Sequence, residues 1–321
     1  MGDTKQDGDQ SGAQAGGGEV AAGAAAASPA GPLPADPSPA GPSPAGPAPL
    51  PDGDCEAWQR VELARHPQRP NFLDWLQALC TDFSELHGDR RFGDDPAIVA
   101  GLAQFRGREV MVVGQHKGRE IKDKIRRNFG MPQPEGYRKA IRLMRLAEKF
   151  NRPILSFVDT NGAYPGIEAE ERGQAEAIAF SLREMARLRV PVIATVTGEG
   201  GSGGALAIAV GNRVLMMENA VYSVITPEGC ASITWRDPMM KARAAHALKP
   251  TAPEMLRLGL IDEVVAEPAG GAHLDPAAAA TLLGDALARH LDELQQFSPE
   301  QLCAHRYQRL RSLGGFFSPA A

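Results

Sequence analysis

The sequence predicts a layered α/β fold, and three observations carry that prediction. Apolar, β-rich runs alternate with amphipathic stretches from residue 97 onward. Two of those runs end in glycine-rich segments. A low-complexity segment of residues 1–54 stands apart from everything after it. The 321 residues would allow about two domains of ~150 residues, or one α/β unit of roughly 200–250 with extensions.

Residues 1–54 are nearly all Gly, Ala, Pro, Ser and Asp, with no Phe, Tyr, Trp, Ile or Arg. Ser-Pro-Ala-Gly-Pro recurs from Ser28, Ser38 and Ser43. Such a segment cannot bury enough apolar area to offset about 1–2 kcal/mol of backbone entropy per residue. It is expected to be a disordered tail of polyproline II character, either a tether or docking arm or a dispensable extension. The alanine run at 22–27 is short and lacks a basic flank, so it does not read as a secretory signal. The absence of Arg argues against a transit peptide.

Short helices are expected at 58–65 and 72–83, with Pro67 and Pro70 between them. Residues 98–105 and 110–113 form a hairpin pattern around Arg106-Gly107-Arg108-Glu109. Residues 137–150 place Tyr137, Ile141, Met144 and Ala147 on one helical face. A buried strand follows at 154–158, then a long helix at 168–189, then a strand at 192–196. A glycine-rich loop at 198–204 leads into a short helix at 205–210. Strands at 214–217 and 221–225, a helix at 254–258, a strand at 261–265 and helices from 277 complete the pattern. The organisation read from this is a tail (1–54), a helical N-terminal segment (55–96), a core (97–268) and a C-terminal helical extension (269–321).

Charge narrows the function. Thirty-four basic and 39 acidic residues give a net charge of -5, without the basic footprint nucleic acid requires. Cys55, Cys80, Cys230 and Cys303 form no C-x-x-C pair, which excludes a zinc ribbon and points to reduced, cytosolic thiols. No metal ligand set is evident. No charge-free apolar run reaches the ~18 residues of a membrane helix.

The loop Gly198-Glu199-Gly200-Gly201-Ser202-Gly203-Gly204 admits three readings. Gly198, Gly200 and Gly203 satisfy the dinucleotide pattern G-x-G-x-x-G, with Glu218 where a ribose-binding acid belongs. Gly200, Ser202 and Gly204 satisfy G-x-S-x-G, which would make Ser202 a hydrolase nucleophile, with His246 or His273 and Glu228 or Asp237 as partners. Third, the glycines bring main-chain N–H groups close to a substrate oxyanion at a helix start. The loop Asp159-Thr160-Asn161-Gly162-Ala163-Tyr164-Pro165-Gly166 also follows a buried strand. Loops at the carboxyl ends of such strands gather at one place, which favours the third reading. The basic residues Lys117, Arg119, Lys122, Lys124, Arg126 and Arg127 form either a solvated helix face or a phosphate site.

Several longer stretches are more specific. Arg65-His66-Pro67-Gln68-Arg69-Pro70, Gly114-Gln115-His116-Lys117-Gly118-Arg119 running on to Gly130-Met131, and Pro134-Glu135-Gly136-Tyr137-Arg138-Lys139-Ala140 occur in order. Gly162-Ala163-Tyr164-Pro165-Gly166, Ala169-Glu170-Glu171-Arg172-Gly173-Gln174, the glycine loop and Pro227-Glu228-Gly229-Cys230-Ala231-Ser232-Ile233 follow. Together they resemble the bacterial acetyl-CoA carboxylase carboxyltransferase alpha-subunit family, from about Trp58 to Tyr307-Gln308-Arg309-Leu310.

The resemblance implies an α/β crotonase-like ββα spiral of the crotonase/Clp protease superfamily. It implies carboxyl transfer from carboxybiotin, presented by a biotin carboxyl carrier protein, to acetyl-CoA, giving malonyl-CoA for fatty acid synthesis. A zinc-ribbon-bearing beta subunit and a biotin carboxylase are the implied partners, in an alpha2-beta2 cytoplasmic assembly. No cofactor is held covalently. By residue-wise carry-over, Gly204 and Ala205 N–H groups would hold the biotin ureido oxygen, and Gly203 would give clearance. Gly162, Ala163, Tyr164, Pro165, Gly166, Gly200 and Gly201 would wall the pocket, while Lys117, Arg119, Lys122 and Arg126 are candidate CoA phosphate contacts. Another biotin-dependent acyl-CoA carboxylase or decarboxylase is the alternative within the same fold. Asn161 stands where the family usually has Pro, and residues 235–253 depart from its pattern.

Overall fold

Strand pairing organises the molecule. The computed structural model describes residues 55–314; the expected disordered tail and residues 315–321 lie outside the described residues. Helices α1 (Glu56–Ala64) and α2 (Phe72–Leu79) precede β1 (Cys80–Glu85), β2 (Ile98–Phe105) and β3 (Arg108–Gln115), an antiparallel meander. From β3 the sheet turns parallel through β4 (Ile154–Thr160), β5 (Val192–Gly201), β6 (Arg213–Met217) and β8 (Glu263–Val265). The short β7 (Val221–Ser223) pairs with the far end of β5.

Helices α3 (Ile121–Arg126) and α4 (Pro134–Lys149) link β3 to β4, and α5 (Ile167–Glu171) and α6 (Gln174–Arg187) link β4 to β5. Every residue of β4 is buried, Ser156, Asp159 and Thr160 included, as a parallel strand covered on both faces requires. In α4, Tyr137, Ile141, Met144 and Ala147 are all buried, matching the expected face.

Four sequence expectations need correction. The helix expected over 72–83 stops at Leu79, because Cys80 and Thr81 pair with Phe105 and Gln104 and cover the edge of β2. The long helix at 168–189 breaks at Gly173, whose φ of 82° is left-handed and starts α6 afresh. The glycine stretch 198–201 is strand rather than loop, since Glu199, Gly200 and Gly201 pair with Val221, Tyr222 and Ser223. The helix expected at 205–210 is α7 (Ser202–Leu206), three residues earlier. Helices α8 (Pro227–Trp235) and α9 (Lys241–Leu248) are not among the expected elements; Thr226 caps α8 and Pro227 opens it, but α8 buries only Pro227 and Ala231, too few positions to show a period.

The chain continues through α10 (Ala252–Arg257), α11 (Pro276–Leu294) and α12 (Pro299–Arg311). Ser298 and Gln301 form a capping box at the start of α12. Arg306, fully buried, ties α12 to the core by donating to the carbonyls of Leu188 (2.7 Å) and Val190 (3.1 Å) and to Asn212 Oδ1 (2.6 Å). Burial pulls its pKa down to about 10.

Candidate functional site

The two glycine-rich segments meet at the carboxyl ends of β4 and β5. A Cβ on Gly204 would lie 2.3 Å from the Gly162 carbonyl carbon and 2.4 Å from Ala163 N, so no larger residue fits there. A Cβ on Gly201 would likewise sit 2.1 Å from the Asn161 oxygen. The 161–166 segment is tied down locally. Thr160 Oγ1 donates to the Gly162 carbonyl (2.7 Å) and accepts the Gly162 N–H (3.1 Å). Tyr164 N–H donates to the Pro132 carbonyl at 3.0 Å, and Gln174 Nε2 donates to the carbonyls of Pro132 and Tyr164, both at 2.9 Å.

Helix α7 starts directly at this contact. In a helix beginning at Ser202, the N–H groups of Ser202, Gly203 and Gly204 have no acceptor one turn back. A regular α-helix would direct the Ala205 N–H to the Gly201 carbonyl, but that bond is not made here, and Gly204 and Ala205 are both buried. Beside the turn lies a groove of about 450 Å³, bordered by Ser202, Gly203, Leu206, Tyr222, Leu258 and Leu310. Its walls are mostly apolar, a shape suited to a compact ring system; Ser202 and Gly203 border it, whereas the buried Gly204 and Ala205 lie behind them.

A second cavity, about 630 Å³, opens at the ends of β3, β4 and β5 and is bordered by Arg65, Lys117, Arg119, Lys124, Asp159 and Glu199. Arg65, Lys117, Asp159 and Glu199 pair within it. Lys117 Nζ lies 2.7 Å from Asp159 Oδ1 and 2.8 Å from Glu199 Oε2. Arg65 reaches Glu199 Oε1 at 2.7 Å and Glu228 Oε1 at 2.6 Å. Burial alone would raise the Glu199 pKa, but the charges of Lys117 and Arg65 outweigh it and hold the carboxyl below its ordinary value. Burial likewise opposes the charge on Lys117, yet Asp159 and Glu199 raise its pKa.

The candidate phosphate contacts therefore do not form one patch. Lys117 points inward to two carboxylates, and Arg119 pairs with Asp74. Lys122 and Arg126 are exposed on α3, and Arg126 pairs with Asp123 at 3.1 Å.

The two rival readings of the glycine run lack their partner groups. Ser202 has the strained φ of 52° between strand and helix that a nucleophile elbow requires, but no histidine bonds to it among the described residues. The acids that a hydrolase would need are engaged elsewhere: Glu228 by Arg65, and Asp237 by the N–H of Met239. His273 stacks on His66 at 3.8 Å between ring centres. Glu218 accepts the N–H of Glu267 at 3.0 Å instead of facing a ribose site, and Gly200 lies within β5.

Arg65 and Glu199, paired with each other, and Gln115, bonded to Gly204 and Asp159, hold this corner together, and the sequence pattern marks none of them as a positioning group. Glu199 carried a signal: it is the one charged residue inside the otherwise uncharged run 191–212. Among the described residues no group of His, Cys, Asp or Glu is placed to hold a metal, and no helix is long and apolar enough to cross a membrane.

Solved structures share the fold. The chain superposes with a TM-score of 0.58 and 19% identity on a transcarboxylase 12S, covering 74% of this chain and 44% of that one. It matches the Pseudomonas malonate decarboxylase MdcD-MdcE hetero-dimer with a TM-score of 0.58 and 20% identity, covering 74% of this chain and 95% of that chain. These likenesses establish the fold, the crotonase-type spiral seen in carboxyltransferases. Residues 53–314 match the family described as acetyl co-enzyme A carboxylase carboxyltransferase-like, and the chain belongs to that family. The acetyl-coenzyme A carboxylase carboxyl transferase subunit alpha of Geobacter metallireducens is 62% identical over 259 residues, 81% of each chain. Its counterpart in Thermus thermophilus is 60% identical over 262 residues, covering 82% of this chain and 84% of that one.

Proposed function

We propose that the chain is the alpha subunit of the carboxyltransferase component of acetyl-CoA carboxylase. It transfers the carboxyl group of carboxybiotin to acetyl-CoA and yields malonyl-CoA. The observation that carries this reading is identity of about 60% to alpha subunits across four-fifths of the chain, which includes both glycine-rich segments.

The chemistry suits the site. Carboxybiotin, delivered on its carrier protein, would supply the carboxyl group: its N–C bond breaks, its ureido oxygen gains negative charge, and the ureido group takes the α-proton that acetyl-CoA loses. The first-turn amides of α7, with Gly204 and Ala205 as the assigned donors, stabilise that oxygen. One such donor contributes about 2.7–4 kcal/mol in a water-poor site. Gly203 keeps the approach clear, and the apolar groove beside it receives the ring. The segment from Gly162 to Gly166 closes the opposite side. The thioester is activated by a beta subunit carrying a matching turn, so that the reacting carbons meet between the chains. Residues 97–268 are the catalytic core in this scheme, with 55–96 and 269–321 as extensions. The assembly is cytoplasmic and works with biotin carboxylase.

The test is reconstitution with a beta subunit and a carboxybiotinyl carrier protein, measuring malonyl-CoA from acetyl-CoA and methylmalonyl-CoA from propionyl-CoA. Preferred turnover of acetyl-CoA is expected. Preference for propionyl-CoA would move the chain to another acyl-CoA carboxylase, and no transfer to either would overturn the reading.

A further inference from the structure

Gln115 ends β3 and is fully buried. Its Nε2 donates to the Gly204 carbonyl at 2.7 Å, and its Oε1 accepts the N–H of Asp159 at 3.1 Å. One planar amide therefore spans both glycine-rich segments, at the residue that opens one and within the helical turn that ends the other. No other side chain in the described residues bonds to the Gly204 carbonyl.

The helix leaves this carbonyl open. A regular α-helix would direct the Ile208 N–H to Gly204, but here it goes to the Ala205 carbonyl at 3.2 Å, while the Ala207 N–H goes to Gly203 at 3.0 Å. The peptide joining Gly204 to Ala205 is planar and trans, so its C=O and N–H point in opposite directions. Whatever fixes the Gly204 oxygen also fixes the direction of the Ala205 N–H.

We propose that Gln115 is a positioning residue for carboxyl transfer: by holding the Gly204 carbonyl it aims the Ala205 N–H, and by holding Asp159 it keeps the facing segment in register with that donor. Gln115 touches no substrate and acts only through these two backbone groups. The inference rests on the proposed carboxyltransferase role. Loss of an oxyanion donor lowers kcat by roughly 10²–10³; a donor that is present but loosely aimed forfeits part of that, about 10–100-fold.

Two substitutions test it in the reconstituted complex. Gln115→Met keeps the length and removes both bonds. Gln115→Glu keeps them only while protonated, since a neutral carboxyl has one O–H donor and one carbonyl acceptor, and an ionised one has no donor. Burial raises the pKa of such a carboxyl and brings its titration into an accessible range. For Gln115→Met, kcat is expected to fall at least about 10-fold at every pH, with KM for acetyl-CoA within about two-fold. Gln115→Glu is expected to approach the parent at low pH and to fall away by a similar factor as the carboxyl ionises.

A folded, assembled Gln115→Met that keeps parental kcat overturns the proposal. So does a Gln115→Glu profile parallel to the parent's, and that profile decides alone if the Met variant does not fold. A parent complex that transfers no carboxyl group overturns the proposed function instead, which keeps the two failures apart.

Discussion

Gly204 and Ala163 lie in such close contact that a Cβ at the first would stand 2.4 Å from the main-chain nitrogen of the second. Backbone cannot yield as the tip of a flexible side chain can. Gly204→Val must therefore separate the two segments, and carboxyl transfer by the reconstituted complex is expected to fall more than about 100-fold. Gly203 is the control, because a Cβ there meets only Ile178, at 3.7 Å. Gly203→Ala is expected to leave the unfolding midpoint close to the parent's and to raise KM for the carboxybiotinyl carrier by narrowing the groove. Paired urea melts and steady-state kinetics check both.

Ser202 provides a test against nucleophilic chemistry. Its left-handed backbone costs a non-glycine residue about 1 kcal/mol, and its hydroxyl has no histidine partner among the described residues. Ser202→Gly is expected to keep carboxyl transfer and to hold or slightly raise stability. Ser202→Ala is expected to retain transfer as well. Abolished turnover in both variants, with folding intact, would contradict the assignment of this turn as a backbone site.

Acid should destabilise the protein in two steps. His116 is buried, and burial together with the charge of Arg127 pushes its pKa down to about 4. Between its ordinary value of about 6.5 and that lower one, the unfolded chain binds the proton and the folded chain does not. Stability then falls as pH drops through that window, by up to about 1.4 kcal/mol per pH unit. Glu199 acts lower down. Its depressed pKa gives stability that is present above the ordinary carboxylate range, about 4.3, and is lost as pH falls below it. Replacing His116 by Gln should flatten the upper step alone, which denaturant melts between pH 7 and 4 would reveal.

Arg306 should be sensitive to even a conservative change. Arg306→Lys cannot reach the carbonyls of Leu188 and Val190 and Asn212 Oδ1 together. Buried acceptors left without a donor cost about 1–3 kcal/mol each. A total loss of at least roughly 3 kcal/mol is expected for Arg306→Met, read as a lower urea midpoint without change in the slope of unfolding.

The sequence disclosed the strands best where both faces are covered. The run at 154–158 and the hairpin around Arg106-Gly107 are found where their patterns put them, because period and turn chemistry are local properties. It disclosed the site through its small residues, since only glycine permits the contact between residues 204 and 162. What it hid was set by distant partners. Residues 198–201 are strand because β7 lies beside them, and Cys80–Glu85 is strand because β2 has a free edge. The fate of Lys117 was equally invisible: a cationic run reads as a solvated face until Asp159 and Glu199, some 40 and 80 positions on, claim one of its members.

The anchoring of α12 bears on how the chain is made. The guanidinium that closes off the end of α6 and grips Asn212 comes from a residue synthesised more than 90 positions after that asparagine. A nascent chain on the ribosome can lay down its parallel strands in order, yet it cannot seal this seam until residue 306 has emerged. Translation halted between 212 and 306 would therefore leave the strand ends near residue 190 unsealed and open to chaperones and proteases.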